Sequence, residues 1–299
     1  MYTAKKQSNW RAALLIVAAT AFIAAATLLA KAIGTGAGGT PLHPLQISLG
    51  RFVFACVGIL SFAALLRPHL DPPHWHLHIA RTLCGWGGIT LMFAAVAFIP
   101  MADATAISFL NPVFAMMLAI PLLGERVGPL RWSAAAFALL GALILLRPTP
   151  QTFQPGALFA LGAAVVMGLE IIFIKNLARR EDPFQILIFN NLVGLVISSV
   201  AVIPFWVMPT PTHWAMLACI GGAMAVAQAF FVNGMARADA SFVAPFSYAT
   251  LIFAAVFDVL IFDLVPDGIT ILGASIIIFG AVMLALREAR QKAHHPQPD

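Results

Sequence analysis

Ten apolar runs, each about 17 to 24 residues long, follow one another along nearly the whole chain. They cover residues 11–33, 45–66, 79–99, 104–123, 130–146, 156–178, 184–206, 213–236, 240–262 and 268–286. A helix of about 20 apolar residues crosses the roughly 30 Å hydrocarbon layer of a bilayer. Because the connections between runs are short, neighbouring helices must run antiparallel. We predict an all-α integral membrane protein with ten transmembrane helices.

The composition agrees with a lipid environment. Hydrophobic residues make up 61% of the chain and charged residues only 10%, whereas a soluble domain carries about a quarter charged residues. The formal charge of +5 is spread over many loops, so we expect no nucleic-acid-binding face. Cys56, Cys84 and Cys219 lie in apolar runs without metal-ligand spacing. We therefore expect neither a metal nor a cofactor.

The distribution of basic residues predicts the orientation, because lysine and arginine are retained on the cytoplasmic side. With the N-terminus inside, only Lys31 and Arg147 fall outside, and Arg51 lies within the second span. The cytoplasmic segments and helix ends hold Lys5, Lys6, Arg11, Arg67, Arg81, Arg126, Arg131, Lys175, Arg179, Arg180, Arg237, Arg287, Arg290 and Lys292. We predict a multi-pass protein of a bacterial-type inner membrane with both termini cytoplasmic.

The chain also resembles itself at an offset of about 136 to 144 residues. Residues 44–47 (PLQI) match 183–186 (PFQI), 102–105 (ADAT) match 238–241 (ADAS), and 140–142 (LGA) match 279–281 (FGA). A repeat of five spans, an odd number, places the second copy upside down in the membrane. We predict two inverted five-helix repeats, residues 1–148 and 153–288, followed by a disordered cytoplasmic tail, 289–299. Inverted repeats allow alternating access.

These motifs identify a family resemblance that covers essentially the whole chain. The motifs that carry the resemblance are the stretch from Ala102 to Asn111-Pro112, residues 123–126 (LGER), Gly141 and Pro245. With these motifs the chain resembles the drug/metabolite transporter superfamily. The chain is similar to its EamA-type members, and most to the YddG-type exporters of aromatic amino acids and related metabolites. The resemblance implies a central cavity lined mainly by helices 1, 3, 4, 6, 8 and 9, with helices 5 and 10 at the periphery.

Ionisable side chains inside the spans are costly in lipid, so we expect them to face a cavity or each other. Glu170 could bind a substrate amine or couple protons, or it could be a structural, hydrogen-bonded acid. Arg51 could bind a carboxylate, or it could be a structural partner of Glu170 or an anchor that extends to the membrane surface. We predict that Lys175, near the cytoplasmic end, extends towards the membrane surface.

Uncharged side chains extend the predicted site. Pro112 and Pro245 should bend the fourth and ninth spans and free backbone carbonyls. Polar residues near them could bind a small amphipathic ligand or simply join helices. The cavity candidates are Trp86, Phe93, Asn111, Met167, Glu170, Met224, Gln228, Phe231, Ser247 and Tyr248. The candidates for gating or coupling are Arg51, His78, Pro112, Glu170 and Pro245.

Neither the alternating histidines nor the glycine-rich segments of the sequence predict a further function. His74, His76 and His78 alternate like a metal-binding tract, but we interpret them as a solvated loop near lipid headgroups. No glycine-rich run ends in Lys-Ser or Lys-Thr, so a nucleotide-hydrolysing pump is not predicted.

The leading functional hypothesis is a secondary transporter or facilitator that exports small metabolites. Amino acids, aromatic or otherwise neutral, are the expected substrates. A proton-coupled exporter of drugs or of other, nucleobase-like metabolites is the alternative. A lipid-modifying membrane enzyme is a third class, but the spans offer no convergent set of catalytic side chains, so we predict no enzyme. The expected partners are a small-molecule substrate and the lipid bilayer, and a homodimer is left open.

Overall fold

The computed structural model describes residues 9–34, 36–68, 70–96, 107–108, 110–146, 155–250, 252–253, 256–257 and 268–294. In the first half, α1 covers Asn9–Gly34, α2 Pro44–Leu66, α3 Trp75–Val96, α4 Asn111–Leu123 and α5 Pro129–Leu146. In the second half, α6 covers Pro155–Ala178, α7 Pro183–Val202, α8 Pro211–Met235, α9 Ala240–Val243 and α10 Gly268–His294. Short 3-10 segments, Ile203–Phe205 and Ala244–Tyr248, continue α7 and α9.

The all-α class predicted from the sequence is confirmed, since every regular element within the described ranges is helical. Each predicted span overlaps one of these helices, although α9 covers only Ala240–Val243 of the ninth, so the number of ten transmembrane helices is supported only approximately. Within those ranges, α1, α2, α6, α7 and α8 are long and apolar enough to cross a membrane by length and composition. Parts of the fourth and ninth predicted spans lie outside the described residues.

Two helix boundaries differ from the prediction. α3 begins at Trp75, four residues before the predicted start, and α10 continues to His294. The end of α10 therefore enters the segment predicted to be a disordered tail. Residues 287–292 consist only of arginine, alanine, lysine, glutamate and glutamine, which have high helix propensity.

Helix packing follows the symmetry that an inverted repeat requires. The repeat relates each helix of the first half to one of the second half, α1 to α6, α2 to α7, and so on to α5 and α10. Under this relation the contact between α3 and α6 is equivalent to the contact between α8 and α1, and both pairs pack extensively. The contact of α2 with α8 likewise matches that of α7 with α3. α2 packs on α7 and α5 packs on α10, which are pairs that map onto themselves. The two halves are therefore interlocked about a pseudo-two-fold axis.

The repeated Pro-x-Gln-Ile motif starts α2 and α7 in the same way. The side chains of His43 and Asp182 each precede the helix and accept a hydrogen bond from the backbone N–H two residues later. Proline follows each cap, where its missing N–H costs nothing. The sequence repeat thus reproduces a local structure at both positions.

The glutamine of each motif joins the two halves. Gln46, at the start of α2, accepts a hydrogen bond from the Val207 amide and donates one to the Val207 carbonyl, in the α7–α8 connection. Gln185, at the start of α7, accepts a 2.8 Å hydrogen bond from the Asp71 amide, in the α2–α3 connection. Each half therefore binds a connection of the other half through the same side chain.

A buried carboxylate strengthens the second of these contacts. Glu181 accepts hydrogen bonds of 2.8 Å from the backbone amide of His74 and from Gln185 Nε2, and it contacts His74 Nδ1 and His78 Nε2 at 2.8 Å. We call these four residues the Glu181 clasp. Burial by itself raises the pKa of the Glu181 carboxyl, but the hydrogen bonds outweigh burial and hold that pKa at about 2. The clasp fixes the α2–α3 connection to the α6–α7 connection.

The clasp corrects the interpretation of the histidines as a solvated loop. His78 is fully buried and Glu181 is 1% exposed, so His78 contacts the carboxylate away from solvent. His76 lies beside His74 with its ring centroid 6.2 Å away. In the described ranges no group of histidine, cysteine and acidic residues could hold a metal ion. Two of the three alternating histidines, His74 and His78, therefore contact the Glu181 carboxylate.

The predicted extension of Lys175 to the membrane surface is wrong. Its side chain is 4% exposed, and Nζ donates hydrogen bonds to the backbone carbonyls of Met235, at 2.7 Å, and of Ala238. The end of α8 leaves these carbonyls without helical partners. A lysine stem in α6 reaches them, so the ammonium group stabilises the α8–α9 connection.

Acidic and basic side chains bind the same connection from α4 and α5. Glu125 accepts a 2.9 Å hydrogen bond from the Ala240 amide at the start of α9. Arg131, at the start of α5, forms a 3.1 Å ion pair with Asp239. The Glu181 clasp and these contacts lie at the same end of the bundle, which is the end that holds most of the basic residues.

Close packing of α5 on α10 depends on glycine. A Cβ atom on Gly141 would lie 2.6 Å from the Gly273 carbonyl oxygen and 2.6 Å from Ile277 Cγ1. A Cβ atom on Gly280 would lie 2.8 Å from Phe137 Cβ. Gly141 and Gly280 occupy equivalent positions in the repeat, so both helices approach at a small residue, as is common between membrane helices.

We predict that Glu181→Gln lowers the melting temperature of the purified protein in detergent. An amide nitrogen cannot accept the hydrogen bonds that the carboxylate accepts, and a buried donor left unpaired costs about 1 to 3 kcal/mol. Asp182→Asn is the matched control, because Asp182 is exposed and asparagine keeps the helix-capping acceptor. Equal melting temperatures for the two variants would contradict the clasp.

The low pKa of Glu181 predicts that its contribution to the free energy of unfolding is lost in acid. Its pKa is about 2 in the folded protein and about 4.3 in an unfolded chain. The contribution is therefore fully present above about pH 4.5 and is lost as the pH falls towards about 2. Thermal melts across this range should show a smaller pH dependence for Glu181→Gln than for the wild type.

We also predict that Gly141→Ala lowers the melting temperature by forcing α5 away from α10. The added methyl group would overlap a backbone oxygen that cannot rotate away. Gly58→Ala is the control, since a Cβ atom there meets no atom within 4 Å. A Gly141→Ala protein as stable as the Gly58→Ala protein would contradict this packing.

Candidate functional site

A central cavity of about 330 Å³ lies between the two halves of the bundle. Its walls come from both halves, and they include residues of α1, α2, α3, α4, α6, α7 and α8 and of the 3-10 segment after α9. No residue of α5 or α10 within the described ranges lines it. The cavity therefore lies where the resemblance implied, but α2 and α7 also contribute to its walls.

Most of the predicted site residues lie in this cavity. The candidates that line it are Arg51, Trp86, Asn111, Met167, Glu170, Met224, Gln228, Phe231 and Ser247. They come from six helical segments separated by up to about 200 residues of sequence. The structure thus brings together side chains that the sequence could select only by their polarity or aromatic character within a span.

The other candidates lie elsewhere. Tyr248 is fully buried and is not part of the cavity wall, since consecutive residues of a 3-10 segment point in different directions and Ser247 faces the cavity. Pro112 lies in the first turn of α4 and is also buried away from the cavity. Pro245 lines a separate apolar groove between α1 and α10, and His78 belongs to the Glu181 clasp. The Phe93 side chain lies outside the described residues.

A second arginine, Arg81, lies in the cavity although its sequence position did not predict this. Arg81 was assigned to the cytoplasmic end of the third span, but it lines the cavity and is 2% exposed. The reason is the earlier start of α3 at Trp75, which places Arg81 nearly two turns inside the helix. The other unpredicted lining residues are Ile23, Phe52, Thr82, Gly85, Ile89, Ile171, Ile174, Asn190 and Ala227.

Charge in the cavity is not balanced. Arg51, Arg81 and Glu170 line one space and interact electrostatically. Glu170 is the only acidic group among the described lining residues, so two cations face one carboxylate. Arg51 Nε and Arg81 Nε and Nη1 are buried without a hydrogen-bond acceptor in the structure. Two arginines that line the cavity therefore carry N–H donors that no described residue satisfies.

Amide and hydroxyl side chains form a network on the α7–α8 side. Thr82 Oγ1 donates a 3.0 Å hydrogen bond to Asn190 Oδ1, and it also contacts the His78 carbonyl at 2.9 Å. Asn190 and Asn191 Nδ2 each donate to Gln228 Oε1, at 3.3 and 3.0 Å. The network connects α3, α7 and α8 and holds Gln228 at the cavity wall.

Aromatic and sulfur-containing side chains form the rest of the wall. They are Phe52, Trp86, Phe231, Met167 and Met224. The Arg51 guanidinium lies 4.1 Å above the Phe52 ring, which is a cation–π distance. Methionine adapts its shape to different ligands. The wall thus suits the apolar part of a small amphipathic molecule.

Glycines of α3 make room for two of these side chains. A Cβ atom on Gly85 would lie 2.8 Å from Glu170 Oε1, and one on Gly88 would lie 2.6 Å from Met167 Cγ. The α3 glycines therefore position the carboxylate and the thioether of α6 against the cavity.

Comparison with known proteins gives the family. The model of the EamA-like transporter family matches twice, over residues 10–147 and 154–286. An S-adenosylmethionine uptake transporter of Rickettsia prowazekii is 26% identical over 84% of this chain and 86% of its own length. A riboflavin transporter of Vibrio cholerae is 30% identical over 84% of this chain and 85% of its own. A pseudopaline exporter of Pseudomonas aeruginosa is 26% identical over 69% of this chain and 74% of its own length.

A solved crystal structure supports the fold independently. It superposes with a TM-score of 0.79 at 21% identity and covers 94% of this chain and 99% of its own. The relatives above are named as transporters, and the family match spans both halves of the chain. The protein is therefore a membrane transporter, and it belongs to the EamA-like transporter family.

Proposed function

We propose that the protein is an inner-membrane secondary transporter that moves small metabolites, principally amino acids, by alternating access through the central cavity. The observation that carries this proposal is the cavity itself. It lies between two pseudo-symmetric halves, has walls from both, and combines charged groups with an aromatic and methionine-rich surface. Its volume of about 330 Å³ lies at the lower end of the range for small-molecule sites.

Alternating access follows from the packing symmetry. In transporters with inverted repeats, an exchange of conformations between the halves opens the central site first to one side and then to the other. The pairs α1–α8 and α3–α6 are equivalent and could exchange in this way. The shared site would remain between them during the exchange.

The lining supports amino acids as substrates. An aromatic amino acid has an apolar ring for the wall of Phe52, Trp86 and Phe231, and it has two charged groups for the ionisable side chains. The relative from Rickettsia prowazekii is named for S-adenosylmethionine, which contains the amino-acid group of methionine. Export is the proposed direction, and the assay below measures both directions because relatives are named for uptake as well as for export.

Transport of another metabolite is the second candidate function. The relative from Vibrio cholerae is named for riboflavin, and that from Pseudomonas aeruginosa for pseudopaline. The family therefore includes transporters that are named for different compounds. Proton coupling would depend on Glu170, the acidic group among the described lining residues.

We predict saturable transport of radiolabelled phenylalanine, tryptophan or methionine by the purified protein in liposomes. Ala227→Phe should reduce the initial rate by about tenfold or more, because Ala227 lines the cavity and is 1% exposed. A ring at this position would occupy space that the substrate needs.

Val226→Phe is the matched control. Val226 is the preceding residue of α8, is 38% exposed and does not line the cavity. It should transport at the wild-type rate. The panel should include S-adenosylmethionine and riboflavin. If folded protein transports none of these compounds, or if Ala227→Phe transports as well as Val226→Phe, the proposed function is wrong.

A further inference from the structure

We infer that Arg51 and Arg81 form a carboxylate-binding subsite, so that the cavity selects substrates by a carboxylate group. The inference deepens the proposed function, and it rests on that function in taking the central cavity as the transport site. It assigns a task to two side chains from neighbouring helices of the first half, α2 and α3. One of them, Arg81, was expected at the membrane surface.

The first observation is a set of donors without acceptors. Arg51 Nε, Arg81 Nε, Arg81 Nη1 and Trp86 Nε1 are buried and have no hydrogen-bond partner in the structure. All three residues line the same cavity, and Arg81 is 2% exposed. Buried polar groups are normally satisfied, so four N–H donors without a partner among the described residues, on three side chains that line one cavity, point to a ligand rich in acceptors. A carboxylate accepts up to about four hydrogen bonds and donates none.

The second observation is the charge balance. Arginine stays protonated in proteins, and Glu170 offsets one of the two guanidinium charges. One positive charge is left in a site enclosed by lipid-embedded helices, where an uncompensated ion is costly. A carboxylate on the substrate can pair directly with the guanidinium that Glu170 does not offset, whereas a hydroxyl or a carboxamide brings no negative charge to it.

The other polar side chains of the cavity are less suited to bind an anion than the two arginines. Thr82, Asn190 and Gln228 are already joined by hydrogen bonds, so they are less available to an anion than the arginines are. The Arg51 guanidinium is held over the Phe52 ring at 4.1 Å, which orients it without using its N–H donors. A planar guanidinium can pair with both oxygens of a carboxylate.

The test compares two probes that differ only in the charged group. 3-Phenylpropionate has a carboxylate, and 3-phenyl-1-propanol has a hydroxyl at the same position. Thermal melts of the purified full-length protein are recorded with increasing concentrations of each, at constant ionic strength. We expect a saturable rise in melting temperature with 3-phenylpropionate, and an apparent affinity for the alcohol at least about tenfold lower.

The variants Arg51→Gln and Arg81→Gln should weaken 3-phenylpropionate binding by about 30-fold or more, the equivalent of losing one buried charge partner. Arg81→Lys should restore part of the binding. The unliganded melting temperature of the glutamine variants should not fall, since each substitution removes an unpaired buried donor group. Arg180→Gln is the control, because Arg180 is exposed in the α6–α7 connection; it should bind as the wild type does.

The inference is wrong if 3-phenylpropionate produces no saturable shift, if the alcohol binds equally well, or if Arg81→Gln binds as the wild type does. This experiment is independent of the transport assay. Transport of phenylalanine without carboxylate selectivity would leave the proposed function intact and overturn only the subsite. Carboxylate binding without transport of any tested compound would leave the subsite and overturn the proposed function.

Discussion

The cost of placing a charge in the bilayer determines where the ionisable groups of this protein lie. In the structure, Lys175 is satisfied by backbone carbonyls at the end of α8, and Glu181 is satisfied by two histidines and Gln185. Arg51, Arg81 and Glu170 instead share the central cavity. The first set holds connections in place, and the arginines of the second set carry buried N–H donors that no described residue satisfies.

The inverted repeat explains how the halves are joined and also where they differ. Gln46 and Gln185, 139 residues apart, bind a connection of the opposite half in equivalent ways. The same offset relates Arg51 to Asn190, and both line the cavity. At this position one half supplies a cation and the other a neutral amide. A symmetric scaffold therefore surrounds an asymmetric site, as selective recognition of one end of a substrate requires.

The sequence predicted the fold better than it predicted the site, for physical reasons. Apolar runs of membrane length are set by bilayer thickness, so the helical class and the approximate spans could be predicted. The rotation of each helix depends on its neighbours, which is why Ser247 faces the cavity and the adjacent Tyr248 does not. The start of α3 at Trp75 moved Arg81 from the surface into the cavity, and no local pattern indicated this change. Lys175 was assigned to the surface because its carbonyl partners lie about 60 residues away in sequence.

We propose that substrate and water enter the cavity between the two halves. This proposal is tested most directly by cysteine accessibility in a protein whose three native cysteines are replaced by serine. Cysteine is introduced at position 224, on the cavity wall and partly exposed, or at position 226, nearby on α8 and outside the cavity. A hydrophilic maleimide reacts with the thiolate, which forms only where water is present. We predict rapid labelling at 224, slowed by a transported substrate, and slow labelling at 226, which lies on the outer surface of the bundle. Equal labelling at both positions, or faster labelling at 226, would contradict this proposal.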